Sequence, residues 1–156
     1  RNAGGRYWKL IKSFPAYYRK KGIVSISSTE KLMSIRADLL PIIIAIYSSN
    51  AFYWFWRSVS NCRHLTNREL NAFPLAKTLF DSEKLSALGT EYEGSLKKNS
   101  IRKTINKAEQ DVFYAQKSKT IIDKIDSELA LHYGLSEREL DFIINYDIKY
   151  RMGSAL

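Results

Sequence analysis

Short stretches of strand-like residues occupy the chain up to about Arg36, and helical spacings take over through most of the rest. Tyr7-Trp8-Lys9-Leu10-Ile11-Lys12 predicts a short strand, closed by Ser13-Phe14-Pro15. Tyr17-Tyr18-Arg19-Lys20-Lys21-Gly22 follows as a basic, aromatic loop with a turn glycine. Ile23 to Ser27 alternates and is rich in β-branched residues, which predicts a second strand. Lys31 to Arg36 predicts a third.

From Leu39 to Trp56 the chain is almost wholly apolar, with Pro41 near the front of the run. Proline fits the first turn of a helix, so Asp38 is expected as N-cap with a helix from about Leu39. Eighteen residues is the lower edge for a membrane span. Ser48-Ser49-Asn50 interrupts the run, and Arg57-Ser58-Val59-Ser60-Asn61 continues it with polar residues. Two helices parted near Ser49-Asn50 are therefore expected, and no membrane span. On the second of them Phe52, Phe55 and Trp56 share one side while Tyr53 and Trp54 point elsewhere. Burial of at least three of these five rings is expected, with Tyr53 and Trp54 keeping a polar tip at the surface.

Arg63 to Arg68 predicts a polar strand, and the chain leads on through Leu70 to an extended Asn71-Ala72-Phe73-Pro74-Leu75 ended by proline. Between Asp81 and about Leu96, the spacing of Leu85, Leu88, Tyr92 and Leu96 puts one apolar stripe on a helix. Lys97 to Lys107 predicts a loop or exposed helix end. Ile121, Ile122, Ile125, Leu129 and Tyr133 form a stripe on a further helix that Gly134 ends. Ser136 with Glu139 is a capping box, and Leu140, Ile143 and Ile144 are the expected buried face of the last helix. The pattern predicts an α+β fold: a small strand-bearing basic part packed on helices, with a helical C-terminal end.

Charge then divides the chain. The formal net charge is +9 over 156 residues, with a pI near 9.6. Residues 1–37 carry +8, residues 38–76 carry +1 and residues 77–107 carry +3, whereas residues 108–156 carry −3. A polyanion should thus meet residues 1–107, leaving 108–156 as a helical segment that packs on that part or on another domain. Cys62 is the single cysteine, so no disulfide framework or zinc cluster is expected, and a reducing, cytoplasmic setting is. Arg1 begins no secretory signal pattern, and the chain is expected to be a piece of a longer protein.

Catalytic signatures are missing. The sequence contains no GxGxxG, Walker loop, HExxH or GxSxG. His64 and His132 stand outside any metal spacing, and His132 is expected partly buried or at the surface. Asp123, Asp126 and Glu128 are expected on a solvated helix face. On its own the chain is not expected to be an enzyme, and neither a cofactor nor a metal site is assigned to it.

Two stretches resemble one family. The tail from Ser118-Lys119-Thr120-Ile121-Ile122-Asp123 through Leu131-His132-Tyr133-Gly134-Leu135 to Asp141-Phe142-Ile143-Ile144-Asn145-Tyr146-Asp147-Ile148-Lys149-Tyr150-Arg151-Met152-Gly153 is similar to the C-terminal end of adenine-specific DNA methyltransferases. More narrowly, it resembles the bifunctional type II restriction–modification enzymes of bacteria. Ser48-Ser49-Asn50-Ala51-Phe52-Tyr53-Trp54-Phe55-Trp56 through Arg68-Glu69-Leu70-Asn71-Ala72-Phe73-Pro74 resembles their TaqI-like specificity region. This chain has Tyr47-Ser48-Ser49-Asn50 where that family has a leucine-asparagine-serine helix end. The resemblance implies an upstream domain that binds S-adenosylmethionine and carries an Asn-Pro-Pro motif for methyl transfer. Here Pro15, Pro41 and Pro74 are isolated. It therefore implies that this chain is the target-recognition part, with double-stranded DNA and the catalytic domain of the same parent chain as partners.

Three groups supply the chemistry such a part needs, in which Lys and Arg hold phosphates while Arg and Asn read base edges. They are Tyr17, Tyr18, Arg19, Lys20 and Lys21; Arg63, His64, Asn67 and Arg68; and Lys97, Lys98, Arg102, Lys103 and Lys107. Salt-bridging or helix capping is the plainer role for Arg57 to Arg68, and solvation for the lysines. A protein-interaction or scaffolding fragment whose basic face meets an acidic partner is the alternative reading.

Overall fold

The computed structural model describes residues 11–27 and 30–152. In chain order it has strands β1 (Tyr18–Lys20) and β2 (Ile23–Val24), then helices α1 (Leu40–Ser48), α2 (Asn50–Val59) and α3 (Asn67–Ala72). Helix α4 (Glu83–Lys98) leads into the hairpin β3 (Ile101–Ile105) and β4 (Ala108–Val112), followed by α5 (Lys119–Tyr133), α6 (Glu137–Asn145) and α7 (Ile148–Met152). Short 3-10 turns at Lys77–Asp81 and Ala115–Ser118 precede α4 and α5. The fold is α+β, with one antiparallel sheet in the order β2-β1-β4-β3.

Helix α1 is apolar all round, which a helix tolerates only when enclosed. Ile42 to Ile46 are all buried, with α4 along one side and α2 and α5 on others. The expected stripe of α4, Leu85, Leu88, Tyr92 and Leu96, is buried throughout. Gly89 on the same helix faces the backbone of Pro41, where a Cβ would lie 1.9 Å from the carbonyl oxygen. From α5 come Ile122, Ile125 and Leu129, and from α6 Ile143, while Leu140 and Ile144 are half-buried. Gly134 adopts φ 65°, the left-handed backbone that closes α5, and Leu135 N–H donates to Ala130 O at 2.9 Å. The Ser136–Glu139 capping box opens α6 as expected.

Ser49 explains the break between α1 and α2. Its extended backbone ends α1, its hydroxyl donates to Ile46 O at 2.6 Å, and it accepts from Phe52 N–H at 3.0 Å. The apolar run is thus two short helices, and no described helix is long and apolar enough to cross a membrane.

Several expectations fail. Asp38 does not cap α1; Leu39 holds that position, and Asp38 pairs with Arg36 at 2.6 Å. Tyr18–Lys20 is a strand rather than loop, because β4 supplies the partner that the local sequence lacks. The second strand is only Ile23–Val24, and Lys31 to Arg36 is irregular, with no strand paired to it among the described residues. Residues 7–10 of the first expected strand lie outside the described residues, and Ile11-Lys12 is irregular. Lys97 to Lys107 is the last turn of α4, strand β3 and a turn. The division at 107/108 falls within that hairpin, since β4 begins at Ala108 and pairs with β1.

Candidate nucleic-acid interface

The sheet gathers two of the three basic groups. Residues paired across neighbouring strands project to the same face, so the register sorts them. Tyr18, Gln110 and Lys103 form one row, with Lys20, Ala108 and Ile105 two residues along on the same face. The opposite face carries Arg19, Glu109 and Thr104, then Arg102 paired with Asp111. Lys97 and Lys98 end α4 just before β3. Lys97 Nζ stands 4.6 Å above the Phe14 ring, and Phe14 packs edge-on against Phe113 at 5.7 Å. This aromatic contact ties the sheet to the helices.

Not every cation in the sheet is available. Arg102 Nε pairs with Asp111 Oδ1 at 3.1 Å, and its guanidinium lies 3.8 Å from the centroid of Tyr17. Tyr17 in turn donates through its hydroxyl to Glu109 Oε2 at 3.2 Å, and its N–H donates to Asp111 Oδ2 at 2.9 Å. Arg102 and Tyr17 therefore brace β1, β3 and β4. Lys103 lies 5.5 Å from the Tyr114 ring, with Lys117 at 5.6 Å from the same ring. Among the described residues no carboxylate pairs with Arg19, Lys20, Lys21, Lys98 or Lys107, all of which are exposed. They are spread over the sheet and its edges, with Arg19 and Lys20 on opposite faces, Lys21 and Lys107 at the turn end and Lys98 before the start of β3.

The remaining group stands on the segment between α2 and α3, where the expected strand is replaced by a loop and a helix start. Thr66 and Glu69 form a capping box, with Thr66 N–H donating to Glu69 Oε2 at 2.9 Å, and this starts α3 at Asn67. Arg63 and His64 lie in the loop, and Asn67 and Arg68 in the first turn of α3. Arg68 turns back, donating from Nη2 to Val59 O at 3.2 Å and lying 3.6 Å from Glu69 Oε1. Its role includes tying the loop down.

Aromatic side chains hold that loop and the α3 segment after it from beneath. Trp56 Nε1 donates to His64 O at 3.2 Å, Tyr47 Oη to Leu70 O at 3.0 Å, and Tyr133 Oη to Pro74 O at 2.6 Å. Phe73 fills the space between, 5.3 Å from Phe52 and 5.2 Å from Phe55. Phe52, Tyr53 and Trp56 are buried, Phe55 is half-buried and Trp54 is exposed. Tyr53 thus departs from expectation, because its hydroxyl finds Asp147 Oδ2 at 3.3 Å inside the fold.

The acidic residues of α5 depart further. Asp126 is only 1% exposed, and Glu128 is also buried. Asp126 accepts from Asn50 N–H at 3.0 Å, from Asn50 Nδ2 at 2.6 Å and from Ala51 N–H at 2.8 Å. With Ser49 on Phe52 N–H, the first three amides of α2 are satisfied. Asp123, half-buried, pairs with Lys119 and accepts from Asn50 Nδ2 at 3.2 Å. Glu128 takes Lys84 at 2.8 Å and His132 at 3.6 Å. His132 is half-buried, its Nδ1 3.1 Å from Thr78 Oγ1. Arg151, buried, lies 4.1 Å from the Tyr53 ring, while Arg57 Nε stands 3.4 Å from Asp147 Oδ2. Carboxylates three residues apart on a helix resemble a solvated face until the amides of α2 arrive from 75 residues away.

Burial raises the Asp126 carboxyl to about 6, the three N–H donors opposing that rise, and burial lowers Arg151 to about 10. At Asp126 the folded chain therefore binds more protons than the unfolded chain between about pH 4 and pH 6. The pH-dependent part of Asp126's contribution is complete below about pH 4 and is lost as pH rises through about 6, at up to about 1.4 kcal/mol per pH unit, while its hydrogen bonds to α2 remain. Urea unfolding of the wild type and Asp126→Asn at several pH values measures this. The wild type's advantage should shrink from pH 4 to pH 7; a constant difference would remove the argument.

Among the described residues, no group of His, Cys, Asp and Glu side chains is arranged to hold a metal ion. Compared with known proteins, the chain matches no family model, no curated protein and no solved structure.

Proposed function

We propose that this chain binds duplex DNA through the basic sheet and the adjoining end of α4. Within that reading it is the target-recognition part of a site-specific adenine DNA methyltransferase or restriction–modification enzyme of the bacterial cytoplasm. Methyl transfer and S-adenosylmethionine binding then belong to a catalytic domain of the parent chain. The observation that carries the reading is that Arg19, Lys20, Lys21 and Lys107, in one small sheet and its turns, and Lys98, at the end of α4, are exposed with no carboxylate partner among the described residues. Cations left without partners are matched by a chain of phosphates, whose condensed counterions are released on binding. The loop holding Arg63 and His64, fixed by Trp56, and Asn67 at the start of α3 add donors and acceptors suited to base edges.

Fluorescence anisotropy with a labelled duplex tests this. If about five phosphates are contacted, log K should fall with log salt at a slope of about −4.5, a roughly 500-fold loss from about 50 to about 200 mM. Failure to bind any duplex at the lower salt, or binding indifferent to salt, would overturn the reading.

A further inference from the structure

Both hairpins of the sheet turn at the same end. Lys20 pairs with Ile23 and with Ala108, and Ala108 pairs with Ile105, so the four strands finish in one row. Beyond that row stand the two-residue turns Lys21-Gly22 and Asn106-Lys107. Lys21 follows β1 and Lys107 precedes β4, and these are the two inner strands. Continuing the β1–β4 register one step beyond Lys20 and Ala108 puts the two lysines at neighbouring positions, at the ends of adjacent strands. Like charges directly opposite destabilise a sheet.

Their backbones add a second cost. Lys21 has φ 51° and Lys107 has φ 60°, both left-handed. Gly22 and Asn106 share that region, with φ 80° and 51°, but glycine and asparagine tolerate it and are the usual residues of such turns. Lysine is not among the residues that favour the conformation. Two exposed lysines thus hold a strained backbone next to each other, where glycine would relieve both strain and repulsion. Glu109, next along β4, lies inside the row and accepts from Tyr17. Strained backbone of this kind clusters at functional sites, which makes the pair a candidate for one.

We propose that Lys21 and Lys107 form a clamp on a single backbone phosphate of duplex DNA, at the turn end of the sheet. An anion between the two ammonium groups cancels their repulsion, and the exposed turns let it approach. The clamp rests on the DNA-binding reading above and specifies where one phosphate is held.

Replacing both lysines by glycine tests it in the 156-residue chain. The Lys21→Gly/Lys107→Gly double variant should show a salt slope shallower by about 0.9, the contribution of one phosphate, and about eightfold weaker binding at about 0.1 M salt. Each single variant should fall between the wild type and the double. Because glycine suits the left-handed backbone, neither single variant should lower Tm, and a rise of about 2 °C is expected. Lys124→Ala, which removes one charge from α5, should leave the slope unchanged. A slope shallower by about 1.8 would mean two separate phosphates, and the shared clamp would be wrong. An unchanged slope in the double variant, a lowered Tm in the singles, or an equal effect of Lys124→Ala would each overturn the clamp while leaving DNA binding intact. A wild-type chain that binds no duplex would overturn both.

Discussion

Asp126→Ala should cost about 3–5 kcal/mol of folding stability at neutral pH, read as a lower urea midpoint. The substitution leaves three buried donors without an acceptor: Asn50 N–H, Asn50 Nδ2 and Ala51 N–H. It also removes a negative charge that favours the buried Arg151 guanidinium. An unpaired group in the interior forfeits its hydration with nothing gained in return. The consequence should reach the candidate interface. Helix α2 loses the anchor of its N-terminus, and α2 carries Trp56, which holds the backbone of His64. Amide exchange over residues 60–68 should therefore accelerate more than exchange in α6. A loss below about 1 kcal/mol would show that water replaces the carboxylate at little cost.

Gly89→Ala should cost about 2–4 kcal/mol, although alanine is the better helix former by about 1 kcal/mol. The added methyl would stand 1.9 Å from Pro41 O and 2.7 Å from Pro41 C, backbone atoms that cannot swing aside. Helix α1 must then move off α4, opening contacts along the buried Leu85–Leu88–Tyr92 stripe. Gly94→Ala on the same helix is the control, because its Cβ would meet nothing within 4 Å. That change should stabilise by about 0.5–1 kcal/mol. Opposite signs from one substitution on one helix isolate the packing term. Equal signs would mean that α1 and α4 are not held this close.

Local features were legible because their causes lie within a few residues. The Leu85–Leu96 stripe, the Gly134 stop and the Ser136–Glu139 box each depend on backbone geometry over one or two turns. The break at Ser49 belongs with them, since its hydroxyl serves amides and carbonyls three residues either side. Ile101 to Ile105 did not announce a strand, because it is exposed on both faces and carries no alternation from burial. Lys31 to Arg36 has strand-like residues and forms none, because a strand is completed by a partner.

The candidate interface divides in the same way. Sequence alone placed the positive charge in residues 1–107 and identified the lysines and arginines that carry it. It could not tell Arg102, spent on Asp111 and Tyr17, from Lys107, which has no such partner among the described residues. Nor could it bring Lys21 beside Lys107, which depends on β1 pairing with β4 across nearly 90 residues. Periodicity, caps and net charge are properties of neighbouring residues, and the sequence by itself determined them. Which charges are neutralised, which carboxylate is buried and which turns stand together are set by long-range contacts, and only the tertiary structure decided those.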